Sequence, residues 1–229
     1  MSTDRKTVCI TGAAGNLGAA VAAWFEREGA RLVLLDRDAE VLQQRHGQLP
    51  DAVLLPVDLL DREAVAAAVE RVERIDVLCH LAGGFHMGEP VHELPANAWD
   101  FMMDLNARSF IHMAAAVVPP MRAQGRGRIV AVGAAGGLKG GASVGAYAAS
   151  KSALMRLVES MSAELRDDGI NVNAVLPSII DTPPNRAAMP DADASRWVAP
   201  EALAEVIGFL ASDAARAVHG ALVPVLGRV

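Results

Sequence analysis

Two cysteines are too few for a disulfide framework, and Cys9 and Cys79 each sit inside an apolar run, which predicts buried free thiols. Basic runs are missing as well. With a formal net charge of −6, that argues against nucleic acid or an anionic membrane as the main partner. No stretch approaches the ~20 consecutive apolar residues of a membrane span. Nor does a hydrophobic signal core follow Met1 to Lys6, so the expected location is cytoplasmic. His92, His112 and His219 show no ligand spacing with one another or with cysteine, so no catalytic metal is expected. Repeats, low-complexity tracts and linkers are absent too, and residues 1–229 read as one domain.

What is present is a hydrophobic chain (52%) with few aromatics (4%), in which strand-like and helix-like segments alternate with short joins. Strands are expected at 7–10, 31–35, 52–57, 76–81, 128–133, 170–176 and 221–226. Helices are expected after residue 18, at 61–73, at 96–122, from about 145 to 168, and at 200–212. Regular βαβ alternation predicts an α/β fold, a Rossmann-type doubly wound parallel sheet of about seven strands with helices on both faces. Ligands of such sheets sit at the carboxyl ends of the strands. One long irregular stretch, 177–199, lies where a substrate lid would be, with the lid itself at about 183–199.

The first strand runs into Thr11-Gly12-Ala13-Ala14-Gly15-Asn16-Leu17-Gly18 and then a helix. Glycines at 12, 15 and 18 permit a tight turn, approach of a pyrophosphate to the backbone, and close packing of helix on strand. The helix N-terminus, with Asn16 and Leu17, offers free N–H groups to phosphates. The second strand ends at Asp36, the ~20-residue offset at which an acid holds the adenosine ribose. A carboxylate there repels a 2′-phosphate and favours NAD(H). Arg37, next in sequence, keeps NADP(H) open. The alternative role for Asp36 is a helix cap.

Tyr147 and Lys151 stand four residues apart on an expected helix, which puts a phenol and an ammonium on one face. Free tyrosine titrates near ~10, and a nearby cation lowers that value, so the pair suits proton transfer.

In this order, along nearly its whole length, the chain resembles the short-chain dehydrogenase/reductase family. The motifs that carry the resemblance are the glycine turn, Asp36, Asp58-Leu59, Ala82-Gly83-Gly84, Asn106, Tyr147/Lys151 and the run from Pro177 to Thr182. The resemblance implies that Asp58 and Leu59 contact adenine, while Pro177, Ile179 and Thr182 belong to the segment holding the nicotinamide carboxamide. It also implies that Lys151 bonds the nicotinamide ribose and lowers the pKa of Tyr147, and that Asn106 kinks its helix and holds a relay water. Phe85 and His86, after the Ala82-Gly83-Gly84 turn, are expected to overhang the nicotinamide, with Phe85 placed to stack on a planar ring and His86 at the rim. Trp197 is expected to close the lid or to pack the next helix.

The departures matter equally. The family's serine, thirteen residues before the tyrosine, is Ala134 here, which removes one hydrogen-bond donor for a carbonyl substrate. Ser143 is the nearest substitute. His80-Leu81 replaces the family's usual asparagine pair. The missing serine, the Gly-x-x-Gly-x-x-Gly turn and the run from Asp181 to Asp193 followed by Trp197 are similar to the quinonoid dihydropteridine reductase branch. A quinonoid pterin is an activated imine for which orientation and one proton donor suffice. The expected function is hydride transfer between NAD(H) and such a heterocycle. The alternatives are a general carbonyl/alcohol dehydrogenase and a non-catalytic NAD(H) sensor. Association into a homodimer or homotetramer, through helices around 145–168 and 200–212, is implied by the resemblance.

Overall fold

A computed structural model describes residues 5–229 of the chain. Seven strands form one sheet: β1 (Thr7–Thr11), β2 (Arg31–Asp36), β3 (Val53–Pro56), β4 (Val77–His80), β5 (Gly127–Val132), β6 (Ile170–Pro177) and β7 (Leu222–Val225). Their order is β3-β2-β1-β4-β5-β6-β7, and every neighbouring pair is parallel. Strand order reverses between β1 and β4, where Thr11 lies beside His80 in register. A crevice opens at such a reversal, at the carboxyl ends of the two strands.

Among the described residues there are eight α-helices: α1 (Asn16–Arg27), α2 (Ala39–His46), α3 (Arg62–Glu70), α4 (Ala96–Met103), α5 (Ser109–Gln124), α6 (Gly145–Leu165), α7 (Pro183–Ala188) and α8 (Pro200–Leu210). The strands read as continuous apolar runs because both faces are buried. Successive side chains then serve opposite cores. Cys9, Val33, Leu35 and Leu78 meet Val65, Phe110, Met113 and Leu154 on the face of α3, α5 and α6. Val8, Ile10, Leu34 and Cys79 meet Val21, Phe25, Leu42, Leu203 and Ile207 on the face of α1, α2 and α8. Both cysteines are free and buried, and burial pushes the Cys9 thiol up to about 12.

The expected elements form, with ends displaced by one to three residues, as helix and strand termini usually are. Two differences bear on the site. The helix expected at 96–122 is interrupted by a π turn at Asp104–Arg108 between α4 and α5. The expected irregular stretch contains a helix, α7, with Thr182 accepting from Asn185 N–H and proline in its first turn. A bridge between Ile180 and Val198 closes that segment into a loop.

The packing of α1 on α8 depends on Gly208, where an added Cβ would lie 2.3 Å from Cη2 of Trp24. Gly208→Ala is expected to destabilise the fold by about 1–3 kcal/mol through overpacking. Urea unfolding would register this as a lower midpoint with an unchanged slope.

Candidate active site

The glycine turn is fixed from three sides. Gly12 adopts φ +68°, and a Cβ there would come within 3.0 Å of Ala82 N. A Cβ on Gly18 would approach Gly12 O to 2.3 Å, so that position is also confined to glycine. Asp36 accepts from Ala14 N–H at 2.9 Å and from Asp38 N–H at 3.2 Å, so its carboxylate organises the turn as well as ending β2. The α2 cap considered for Asp36 belongs to Asp38, which accepts from Val41 N–H. From the far end of α2, buried His46 bonds Ala13 O through Nε2 at 2.8 Å, and Arg45 donates to Asn16 Oδ1 at 3.3 Å. The N-terminus of α1 has no side-chain cap and no acid in its first turn, which leaves Asn16 and Leu17 at an open positive end.

Beyond β3, Asp58 is exposed and accepts from Leu60 N–H, whereas the Leu59 side chain is buried in the core. Of the pair expected at adenine, Asp58 alone presents its side chain outward. Arg37 is exposed beside Asp36.

At the crevice, the Ala82-Gly83-Gly84 turn is held by Asn106, whose side chain is wholly buried. Its Oδ1 accepts from Gly84 N–H at 2.9 Å, and its Nδ2 donates to Gly84 O at 3.1 Å and to Ser150 Oγ at 3.0 Å. Ser150 in turn donates to Tyr147 O. The π turn carries Asn106, the helical irregularity expected of that residue. Gly83 closes over the pair below it: a Cβ would stand 2.8 Å from Asn106 Oδ1 and 3.0 Å from Lys151 Nζ. Lys151 is buried and donates to Val132 O at 2.9 Å. Burial lowers its pKa to about 8.

Tyr147, the chain's one tyrosine, lies half-buried against Phe85, ring centroids 4.8 Å apart and edge to face. Burial raises its pKa above the ordinary 10.0. The expected depression of the phenol by the ammonium is therefore corrected: the two residues share a helix, but the amine is turned to a carbonyl of β5 and desolvation decides the sign. Ala134 stands in extended backbone just past β5 and is nearly inaccessible. Ser143 adopts φ +61°, and its carbonyl accepts from Gly88 N–H, which ties the loop before α6 to the loop after Gly84. Phe85 is mostly exposed (63%), and His86 pairs with Glu89 at 3.0 Å, a rim position that holds the Glu89 carboxyl below its usual range.

Past β6, which ends at Pro177, Ile179 O accepts from Val198 N–H and Thr182 caps α7. Asp181 forms a two-pronged pair with Arg186 at 2.6 and 2.8 Å. Trp197 is buried. Thr11, Arg45, His46, Ser109 and Ser150 escaped the sequence reading. Their partners lie far away in the chain, and only the hydroxyl of Thr11, inside the glycine motif, offered a local signal.

Comparison with known proteins gives the same answer as the geometry. Residues 6–193 match the model of the short chain dehydrogenase family. The chain belongs to that family. It is similar to dehydrogenase/reductase SDR family member 6 of Danio rerio, with 31% identity over 95% of this chain and 94% of that protein. It also resembles sorbitol dehydrogenase of Cereibacter sphaeroides, at 34% identity over 79% of this chain and 73% of the relative. Among solved structures, an NAD+-bound xylitol dehydrogenase superposes with a TM-score of 0.91 at 26% identity, over 99% of this chain and 100% of the other. The chain is thus a short-chain oxidoreductase by descent as well as by fold.

Burying the Lys151 ammonium costs stability below its folded pKa of about 8. Between there and the unfolded value near ~10.4 the unfolded chain binds more protons, so this cost is relieved as pH rises. Lys151→Met is expected to raise the melting temperature at pH 7 and to narrow that advantage by pH 10. Thermal melts across the two pH values test the sign.

Proposed function

We propose that this chain reduces a small, conjugated, already activated substrate with NADH, a quinonoid dihydropterin or a similar heterocycle, with Tyr147 as proton donor. The observation that carries the reading is the missing hydroxyl at Ala134, thirteen residues before Tyr147, where the family pattern has serine. A phenol is protonated at neutral pH and has a proton to give, which suits reduction. A simple ketone would lose one of two donors at its oxygen, commonly ~100- to 1000-fold in turnover. A quinonoid imine needs less, since its ring gains aromatic character on reduction. Tyr147 would supply the one proton that the conjugated system takes up with the hydride.

The residues fit a nicotinamide dinucleotide. Gly12 and Gly18 leave a cradle that a Cβ would fill, and Gly83 leaves the same over Lys151 and Asn106. Gly12, Gly15, Asn16, Leu17 and Gly18 would hold the pyrophosphate. Asp36 and Arg37 would face the adenosine ribose, and the Asp58 side chain with the backbone of Leu59 the adenine. Ala82, Gly83, Gly84, Lys151, Pro177, Ile179 and Thr182 would line the nicotinamide end. When bound, the dinucleotide supplies the hydride. Asn106 positions the turn and Tyr147 moves the proton. Phe85, His86 and Trp197 would frame the substrate, with residues 183–199 as its cover. Exposed Phe209 on α8 supports subunit association through that helix.

A second reading, a carbonyl/alcohol dehydrogenase, is favoured by the relatives named for sorbitol and xylitol. NADH oxidation with freshly generated quinonoid dihydropterin beside a panel of ketones and polyol-derived sugars separates the two. Fast turnover of the pterin alone, lost by more than ~100-fold in Tyr147→Phe while NADH still binds, is the expected result. Activity confined to carbonyls would establish the second reading. Asp36→Ala is expected to lower the NADH preference about tenfold relative to NADPH. An unaltered ratio of the two dissociation constants would mean that another group reads the ribose.

A further inference from the structure

His80 is wholly buried at the end of β4, where the family pattern has asparagine, and the proposed chemistry makes no use of it. Its hydrogen bonds admit one arrangement of protons. Ser109 Oγ donates to Leu105 O at 2.6 Å, so toward His80 Nε2, 3.2 Å away, that oxygen accepts. Nε2 therefore carries the hydrogen and Nδ1 is bare. Thr11 Oγ1, 3.1 Å from Nδ1, donates its proton there. The same oxygen accepts from Leu81 N–H at 3.2 Å and Ala82 N–H at 3.3 Å. A hydrogen on Nδ1 would leave Thr11 Oγ1 facing three donors while Nε2 lost its own. Burial, with a smaller push from the Lys151 charge, lowers the imidazole pKa to about 3 and keeps it neutral. Phe110 packs on its ring at 5.4 Å between centroids.

The chain of bonds joins two parts of the proposed cofactor site that no single element connects. One end is Thr11, the last residue before the glycine turn. The other is Leu105 O inside the π turn, one residue before Asn106, whose carboxamide grips Gly84 from both sides. We propose that His80 is a positioning residue that sets the π turn, and through Asn106 the Gly83–Gly84 cover, so that the nicotinamide half of the dinucleotide is bound in register with the glycine turn. The proposal rests on the cofactor reading above.

If His80 works through Ser109 as a strut, removing the imidazole or the Ser109 hydroxyl loosens the nicotinamide half only. Thr11 keeps Leu81 and Ala82 in place in either variant, so the adenosine half stays anchored. Dissociation constants for NADH and for ADP-ribose, which lacks the nicotinamide, are to be measured on wild type, His80→Phe, Ser109→Ala and Ser109→Thr. Expected are a rise of about fivefold for NADH in His80→Phe and Ser109→Ala, the loss of one net hydrogen bond. ADP-ribose is expected to change less than about twofold, and Ser109→Thr, which keeps the hydroxyl, to stay within about twofold of wild type for both ligands. Equal effects on NADH and ADP-ribose, or none on either, would overturn the proposal, whatever happens to the melting temperature. Absence of NADH binding by the wild type would instead overturn the cofactor reading and this proposal with it. Because His80→Phe also risks the fold, long-range 1H–15N spectra of histidine-labelled wild type give a second test. A neutral Nε2–H ring that persists to pH 5 is expected, and an Nδ1–H or doubly protonated ring would overturn the strut.

Discussion

The carboxamide of Asn106 satisfies Gly84 N–H, Gly84 O and Ser150 Oγ at once, with no water between them. These partners lie in two parts of the molecule: the turn after β4 and the helix that carries Tyr147 and Lys151. A buried carboxamide that met only one of them would leave polar groups unpaired, at about 1–3 kcal/mol each. The sheet edge and α6 are therefore fixed relative to each other, and Gly83 has one place to lie. The π turn makes this possible, because the extra residue per turn swings Asn106 inward, where a regular helix from Ala96 to Gln124 would continue past it.

Burial then acts on the two titrating groups in opposite directions of pKa but toward the same end, the neutral form. Lys151 falls to about 8 and stays mostly charged at neutral pH. Tyr147 rises and keeps its proton. The phenol therefore gives up a proton only when a partner pulls on it, and the ammonium beneath Gly83 adds positive potential at the same edge without deprotonating it. The buried cation is unfavourable to the fold, a cost that the proposed cofactor role of Lys151 would account for.

Much of this was legible in the chain. The glycine turn, the strand ends and the Tyr147/Lys151 spacing are local patterns, and local patterns survive folding. The break at Asn106 was expected from the family resemblance alone; its π form was not legible, because Asp104-Leu105-Asn106-Ala107-Arg108 carries no helix breaker and its irregularity is imposed by bonds to Gly84 and Ser150, 22 and 44 residues away. The same holds for His46 on Ala13 and for His80 between Thr11 and Ser109. The direction of the Tyr147 shift was misjudged because i,i+4 spacing places two residues on one face without saying where a lysine of four methylenes turns its amine. Helix α7 was legible in principle, since Thr182-Pro183-Pro184 is a cap followed by proline in the first turn. Its prolines read as loop because the segment is short.

Family membership fixes the fold and leaves the substrate to the rim. Here the rim is built rather than loose. The segment after β6 is closed by the Ile180–Val198 bridge, by Arg186 on Asp181, and by Arg196, which donates to Arg228 O at 2.9 and 2.6 Å while Arg228 donates back to Ser195 O. A segment tied at so many points keeps little conformational freedom to lose. On the proposed reading, that order offsets the hydroxyl missing at Ala134. An enzyme that lacks a second donor for a developing charge would rely on holding an acceptor already prone to take hydride, and an ordered segment beyond β6 suits that task.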